Sequence, residues 1–310
     1  MENNVYDLVI VGGGPAGFTA ALYGARAGRS VLVLEKMAPG GQMAMTENIE
    51  NYPGFDRIDG LTLAEKMKSA AEAAGAHTRM AEVTAMQLEG TKKTVTTTEG
   101  DVTARAVVLA MGAVPRTLGV TEEEEEMRGR GVSYCATCDG NFFRGKTVAV
   151  VGGGNSAAED ALYLSKLCKQ VYVIHRRDTL RASRTEASRL EQAENISFLW
   201  NKQVTALQHD FKLTGVTLRD TQTGEESDLA CDGLFVAIGR RPDTALVQDR
   251  LACTPEGYLV ADETTRTSIP GVFAAGDVRQ KPLRQIVTAA ADGAVAAHFA
   301  QQYLEETAEA

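Results

Sequence analysis

The sequence predicts an α/β fold of two similar three-layer domains, the second inserted in the first. Three observations carry that prediction: a strand, glycine turn and helix that open the chain at Asp7, a second copy of the same unit beginning at Thr147, and a further strand, Gly271 to Ala275, left over after the second copy closes. Apolar strands alternating with helical stretches are the pattern of a parallel sheet covered by helices.

Residues Asp7 to Val11 are an unbroken apolar strand, followed by Gly12-Gly13-Gly14-Pro15-Ala16-Gly17 and an Ala-rich helical stretch to about Ala27. Gly-x-Gly-x-x-Gly between a strand and a helix is the turn of a dinucleotide-binding fold. Gly12 permits the turn, Gly14 lets backbone approach a pyrophosphate, and Gly17 lets helix and strand pack closely. The helix N-terminus offers free N–H groups and partial positive charge to the phosphates. The second strand, Ser30 to Leu34, ends in Glu35, an acid suited to the hydroxyls of an adenosine ribose. Two polar loops follow, Pro39-Gly40-Gly41-Gln42 and Glu50-Asn51-Tyr52-Pro53-Gly54, on the side of the sheet where ligands of such folds lie. Taken alone, either loop reads equally as a surface turn.

The signature returns at Gly152-Gly153-Gly154-Asn155-Ser156-Ala157, after the strand Thr147 to Val151. Shifted by 140, Gly12, Gly14 and Gly17 fall on Gly152, Gly154 and Ala157, and Glu35 falls on His175. There the acid is replaced by His175-Arg176-Arg177, with Arg181 a turn further on. A carboxylate repels a phosphate on the ribose 2′ position, whereas a guanidinium pair binds it with charge-assisted bonds, so the second domain is expected to prefer NADPH to NADH. Val83-Thr84-Ala85-Met86-Gln87 and Val204-Thr205-Ala206-Leu207-Gln208 then each begin a series of strands, ending near Gly112 and Gly239. Two Rossmann-like (three-layer ββα) dinucleotide-binding domains account for both echoes. The strand Gly271 to Ala275, ending in Gly276-Asp277, finds no place in the second domain and is assigned to the first. The expected domains are therefore 1–114 with 244–310, and an inserted 115–243, joined through the Pro-bearing connections Ala113 to Arg116 and Arg240 to Asp243. The final helix, about Gln285 to Glu305, points a positive end beyond Asp277, favourable to a developing anion such as a reduced flavin.

Between the two signatures lies Ser133-Tyr134-Cys135-Ala136-Thr137-Cys138-Asp139-Gly140. Two cysteines at this spacing can close into a disulfide and reopen by exchange. They are also half of a zinc site, but such a site needs four ligands. There is no second pair, and His77, His175, His209 and His298 are scattered, so the redox reading leads the metal one. A net charge of −9 argues against nucleic acid as partner and leaves room for a small soluble protein. No window approaches the roughly 18 apolar residues of a membrane span. The acidic start lacks a signal peptide's basic segment, so the chain is read as cytoplasmic. Cys168, Cys231 and Cys253 read as buried inert thiols and the run Glu122 to Glu126 as a solvated loop.

Across its whole length the chain resembles the low-molecular-weight bacterial thioredoxin reductases. The resemblance rests on Gly12 to Gly17, Gly40-Gly41-Gln42, Asn51-Tyr52-Pro53-Gly54, Cys135-Ala136-Thr137-Cys138-Asp139-Gly140, Gly152 to Ala157, His175-Arg176-Arg177, and Ala274-Ala275-Gly276-Asp277 with Arg284-Gln285. It implies a homodimer with FAD in the first domain and NADPH in the second. FAD would be held by Gly12, Gly13, Gly14, Pro15, Ala16, Gly17, Glu35, Lys36, Gly40, Gly41, Gln42, Asn51, Val83, Gly112, Gly276, Asp277, Arg284, Gln285 and Ile286. NADPH would meet Gly154, Asn155, Ser156, Ala157, His175, Arg176, Arg177, Arg181, Ile238 and Tyr258. Hydride would pass from NADPH to flavin and two electrons on to the Cys135–Cys138 disulfide. Cys138 would face the flavin, Cys135 would attack the disulfide of thioredoxin, and Asp139 would move the proton, with domain rotation between half-reactions. Met111 stands where the family has threonine, and Thr121 where proline is common. A related flavin enzyme with another acceptor, a peroxiredoxin-like or glutaredoxin-like protein, or a small dithiol oxidase using oxygen, is the alternative enzyme, and a non-catalytic nucleotide sensor the alternative outside enzymes.

Overall fold

Strand β1 (Tyr6–Val11) enters the glycine turn, helix α1 (Pro15–Arg26) leaves it, and β2 (Val31–Glu35) returns parallel to β1 in the computed structural model of the chain, which describes residues 5–46, 49–120 and 123–308. Pro15 occupies the start of α1, where its missing N–H has no intrahelical use. Helix α2 (Gly60–Ala73) opens on Asp59, whose carboxylate accepts the Thr62 N–H at 2.8 Å, and β3 (His77–Met80) extends the sheet beyond β2. A meander follows: β4 (Val83–Gln87), β5 (Lys93–Thr97) and β6 (Gly100–Leu109). The long β6 serves two layers. Its first half pairs antiparallel with β5 and its second half parallel with β1, so one strand carries the chain from the meander into the parallel sheet.

The chain then leaves through β7 (Ala113–Pro115), and the molecule divides into two compact units, Met1–Val114 with Arg241–Ala310, and Pro115–Arg240. The second unit contains α3 (Glu123–Glu126), β8 (Val132–Ser133), α4 (Ala136–Asp139), β9 (Thr147–Val151), α5 (Asn155–Ser165), β10 (Gln170–His175), α6 (Arg184–Glu191) and β11 (Ile196–Trp200). An antiparallel sheet of β12 (Lys202–His209), β13 (Leu213–Asp220) and β14 (Glu226–Ala230) comes next, then β15 (Gly233–Val236) closes the parallel order β11-β10-β9-β15-β8. After β16 (Arg240–Pro242), β17 (Val272–Ala274) pairs parallel with β6, Val272 opposite Val107, and α7 (Ile286–Glu306) ends the described chain. The return into the first unit falls at Arg240/Arg241, ahead of the expected Asp243/Thr244, and Asp243 N–H already donates to the Gly112 carbonyl at 3.2 Å.

Alternation along the central strands makes the three layers. Leu8 and Ile10 face the core shared with Phe18 of α1 and Ala296 of α7, while Val9 and Val11 face Val95 and Val102 of the meander. The second unit repeats this: Val148 and Val150 pack with Ala157 and Ala161 of α5, and Ala149 and Val151 with Val204, Val216 and Leu218. Each fully buried Val, Leu or Ile contributes about 1.5–3 kcal/mol, so both sheet faces are needed. Among the described residues, no helix is long and apolar enough to cross a membrane.

The acidic run departs from expectation. Thr121 and Glu122 lie outside the described residues, but Glu124 is buried, not solvated: its carboxylate accepts the Leu118 N–H at 2.7 Å, the Gly119 N–H at 2.9 Å and the Tyr134 hydroxyl at 2.7 Å. Three donors compensate the burial of one charge.

Candidate functional site

The glycines of the first turn divide into those the fold requires and one it does not. Gly12 has φ +107° and a Cβ there would lie 2.4 Å from the Ala110 carbonyl oxygen; at Gly17 it would lie 1.9 Å from the Gly12 oxygen. Neither site admits a side chain. Gly14 has φ −85°, and a Cβ there would meet nothing nearer than the Gly40 oxygen at 4.0 Å. The protein itself leaves that space open. Gly14 also starts α1 without a side-chain cap, so the first helical N–H groups stay available to an anion.

Glu35 ends β2 with its carboxylate turned to the turn, accepting the Gly13 N–H at 2.7 Å and the Met37 N–H at 3.0 Å. Two of a carboxylate's roughly four acceptor sites remain for ligand hydroxyls. The Gly40 N–H donates to the Gly13 oxygen at 2.7 Å, which brings Gly41 and Gln42 beside the turn, while Lys36 is exposed just beyond. Asn51 Nδ2 donates to Gln285 Oε1 at 3.1 Å, joining the second polar loop to the start of α7, where Ile286, like Tyr52, packs against the small core that includes Met43 and Ile49. Gly276, at φ +78°, sits against Ala16, so Asp277 follows at the same end of the sheet; Gly112 stands at the end of β6 and the half-buried Val83 begins β4. The Arg284 guanidinium lies over the Tyr258 ring, 3.9 Å from its centre, and among the described residues its buried Nε has no hydrogen-bond partner. Tyr258 thus stands in the first unit, against a residue expected at the flavin.

In the second turn, Gly152 cannot carry a side chain, since a Cβ would lie 2.5 Å from the Ala237 oxygen, whereas at Gly154 it would meet nothing within 4 Å. Helix α5 again begins without a side-chain cap, with Ser156 exposed and Ala157 buried. The arginine loop is tied to the turn: Arg181 and Ala182 N–H both donate to the Gly153 oxygen, at 2.6 and 3.0 Å, and Ser183 N–H donates to Asn155 Oδ1 at 2.8 Å. Arg176, Arg177 and Arg181 are exposed, and Ile238 is half-buried in the neighbouring core. His175 is set apart from the arginines that follow it. It is buried against Gly153, with Trp200 edge-on at 6.3 Å; burial lowers its pKa below 6.5, and Arg181, Arg177 and Arg176 add to this against a backbone hydrogen bond at Thr179. At neutral pH the positive charge here belongs to the arginines.

Cys135 and Cys138 form a disulfide with their Cα atoms 5.3 Å apart. Cys135 starts the single turn α4, whose Cys138 and Asp139 N–H groups both donate to the Cys135 oxygen, at 3.2 and 3.1 Å. Ala136 is buried in the core, and Gly140 packs so closely on α5 that a Cβ would lie 3.0 Å from the Tyr163 ring. The turn is therefore fixed from beneath while both cysteines stay half-buried. Asp139 Oδ2 accepts the Ser133 hydroxyl at 2.6 Å. Burial pushes the Cys168 thiol up to about 11 and Cys231 to about 12, while Cys253 is only half-buried. Among the described residues no three His, Cys, Asp or Glu side chains gather as metal ligands do.

Sequence reasoning missed Ser133, Glu124 and the ion cluster beneath Gly276. In that cluster Asp292 accepts the Gly276 N–H at 2.9 Å, Arg279 Nε at 2.9 Å and Lys281 Nζ at 2.8 Å. A buried acid on a helix amid Ala and Gly carried no signal for those partners.

Residues 6–293 match the family model described as pyridine nucleotide-disulphide oxidoreductase. The chain is 45% identical over 310 residues to thioredoxin reductase of Bacillus subtilis (strain 168), covering 99% of this chain and 98% of that protein. It is 48% identical over 307 residues to thioredoxin reductase of Mycolicibacterium smegmatis, covering 98% of each. The crystal structure of thioredoxin reductase from Streptococcus pyogenes MGAS5005 aligns with a TM-score of 0.91 at 45% identity, over 98% of this chain and 100% of that one.

Proposed function

The chain belongs to the pyridine nucleotide-disulphide oxidoreductase family, and from that premise we propose that it is an NADPH-dependent thioredoxin reductase. Membership carries flavin and pyridine nucleotide binding. The observation that carries the more specific reading is the Cys135–Cys138 disulfide, set on a fixed helical turn with a carboxyl group at the next residue. FAD in the first unit and NADPH in the second would supply the two electrons that open it.

The residues suit those groups. Gly14 and the uncapped start of α1 leave room for a pyrophosphate, Glu35 keeps acceptor capacity for a ribose, and the unpartnered Arg284 Nε offers a donor. In the second unit, Gly154 leaves the same room, and Arg176, Arg177 and Arg181 support NADPH over NADH. Once the dithiol forms, Cys135 as thiolate attacks a partner disulfide, Cys138 resolves the mixed disulfide, and Asp139 holds the proton that the leaving thiolate needs. The remaining expectations, a homodimer in the cytoplasm, belong to the same proposal; sedimentation of the purified protein tests the dimer.

The deciding experiment is oxidation of NADPH by the purified protein with the organism's own thioredoxin, compared with peroxiredoxin-like and glutaredoxin-like disulfide proteins. Fast turnover with thioredoxin supports the reading. Turnover with one of the others and none with thioredoxin assigns the chain to another acceptor. No flavin after reconstitution and no turnover leave only a nucleotide sensor.

A further inference from the structure

Ser133 Oγ is the meeting point of three groups around the dithiol. It accepts the Cys135 N–H at 3.1 Å, and it stands 2.6 Å from Asp139 Oδ2 and 3.3 Å from the Cys135 carbonyl oxygen. Ser133 is buried at the end of β8, 3% exposed. A hydroxyl has one proton and two lone pairs, and here one lone pair is taken by the Cys135 N–H. One proton and one lone pair remain, facing a carboxyl group. With Asp139 ionised, the hydroxyl donates to the carboxylate. With Asp139 protonated, the carboxyl O–H donates to the remaining lone pair and the hydroxyl proton turns to the Cys135 carbonyl. In both states the Ser133 proton has an acceptor and its oxygen has at least one donor, so neither leaves the buried hydroxyl unpaired.

We propose that Ser133 is a positioning residue for disulfide exchange, keeping Asp139 hydrogen-bonded beside the Cys135 backbone in both of its protonation states. This rests on the reading of Cys135–Cys138 as the redox pair. In the exchange, the Cys135 thiolate forms a bond to one sulfur of a partner disulfide, the partner's S–S bond breaks, and the other sulfur leaves as a thiolate. The Asp139 carboxyl gives that thiolate its proton and becomes a carboxylate, at which point the Ser133 proton swings to it. Of the elements packed on α4, α5 contributes Glu159, Asp160 and Tyr163 as titratable groups, with Arg240 acting on Asp160, and the 140–143 turn contributes none.

The test is a pH titration of aspartate carboxyl carbons by ¹³C NMR in the full-length protein as purified. Asp139 is assigned by its loss in Asp139→Asn, and Asp160, whose carboxyl burial pushes up to about 7, by its loss in Asp160→Asn. Ser133→Ala is expected to raise the Asp139 midpoint by about one pH unit, because the lost hydrogen bond favours the charged form over the neutral one. Ser133→Thr, which keeps the hydroxyl, is expected to restore the wild-type midpoint. In the unsubstituted protein the Ser133 Cβ resonance is expected to titrate with the Asp139 midpoint, which needs no variant to fold. An unmoved or lowered midpoint in Ser133→Ala, or a Ser133 Cβ resonance that ignores Asp139, overturns the proposal. Because no turnover enters this measurement, a protein that shows the shared midpoint yet fails to reduce thioredoxin refutes the functional reading alone.

Discussion

Asp292→Asn probes what holds the Gly276 turn in place. Asp292 is 8% exposed, and besides the three donors on Oδ2, its Oδ1 accepts Arg279 Nη2 at 3.2 Å. Burial would raise its pKa, but the hydrogen bonds from Arg279 and Lys281 outweigh burial and hold it below 3.8. Asparagine keeps the shape and removes the charge, leaving two cations without their anion. Breaking a buried pair costs about 3–5 kcal/mol. At about 2–4 °C per kcal/mol for a unit of this size, the first unit should melt about 6–20 °C lower. With the flavin in the first unit as proposed, its fluorescence follows that unit, and Trp200, the one tryptophan, follows the second, whose transition should stay in place. The depressed folded pKa sets the pH dependence. Ionised Asp292 stabilises the wild type above about 3.8 and loses that contribution as pH falls through the folded value. The gap between wild type and variant should therefore stay level from pH 8 to 5 and close in stronger acid. A fall of less than about 2 °C at pH 7, against the smallest expected loss, or a gap that widens on acidification, would refute the reasoning.

Three further outcomes follow from the sites. Cys138→Ser should abolish thioredoxin reduction while NADPH still bleaches the flavin; retained turnover would remove the pair from the chemistry. Arg176→Ala should raise the KM for NADPH by about one to two decades, since a charge-assisted bond is worth roughly 1.5–3 kcal/mol and 1.4 kcal/mol is about tenfold. The KM for NADH should hardly change, and the effect should shrink at high salt; equal effects on both coenzymes would make these arginines surface ion-pair residues. Gly14→Val should leave the fold intact, because the protein leaves that space open, yet lower the flavin content of the purified protein. Full flavin content in that variant would move the pyrophosphate site elsewhere.

Much of the fold was legible because strand burial is written into composition. Strands covered on both faces, such as β2 with its apolar run 31–34, must be apolar along their buried length, and the glycine turns between strand and helix mark the parallel units. The place of β17 was legible by elimination, since the second copy already had its strands. The double service of β6 was not, because its switch from antiparallel to parallel partners leaves no mark in its own residues. Glu124 was illegible for a different reason. Five consecutive glutamates read as a solvated run, and only the turn of α3 aims the third at Leu118, Gly119 and Tyr134, partners up to ten residues away. Buried polar groups are specified by distant donors, which hydrophobic periodicity does not report.

The two glycine turns share one arrangement but differ in the charge at the strand end. In both, the last residue of the second strand touches the middle glycine of the turn. In the first unit Glu35 does so by accepting the Gly13 N–H, so an acid is held at the turn and its free acceptors suit hydroxyl groups. In the second unit His175 does so with its ring: a Cβ on Gly153 would lie 2.2–2.6 Å from imidazole atoms, so only glycine fits beneath it. That contact buries the imidazole, and the burial keeps it neutral. The glycine's carbonyl, which in the first turn takes the Gly40 N–H, here takes the N–H groups of Arg181 and Ala182 and so fixes the arginine loop on the turn. Residue for residue, His175 replaces the carboxylate by a neutral spacer, and under the proposed function the charge that would select a phosphate comes from the arginine loop held on the Gly153 carbonyl. The aligned position alone suggests that histidine binds the phosphate; the packing makes it the support on which the arginines stand.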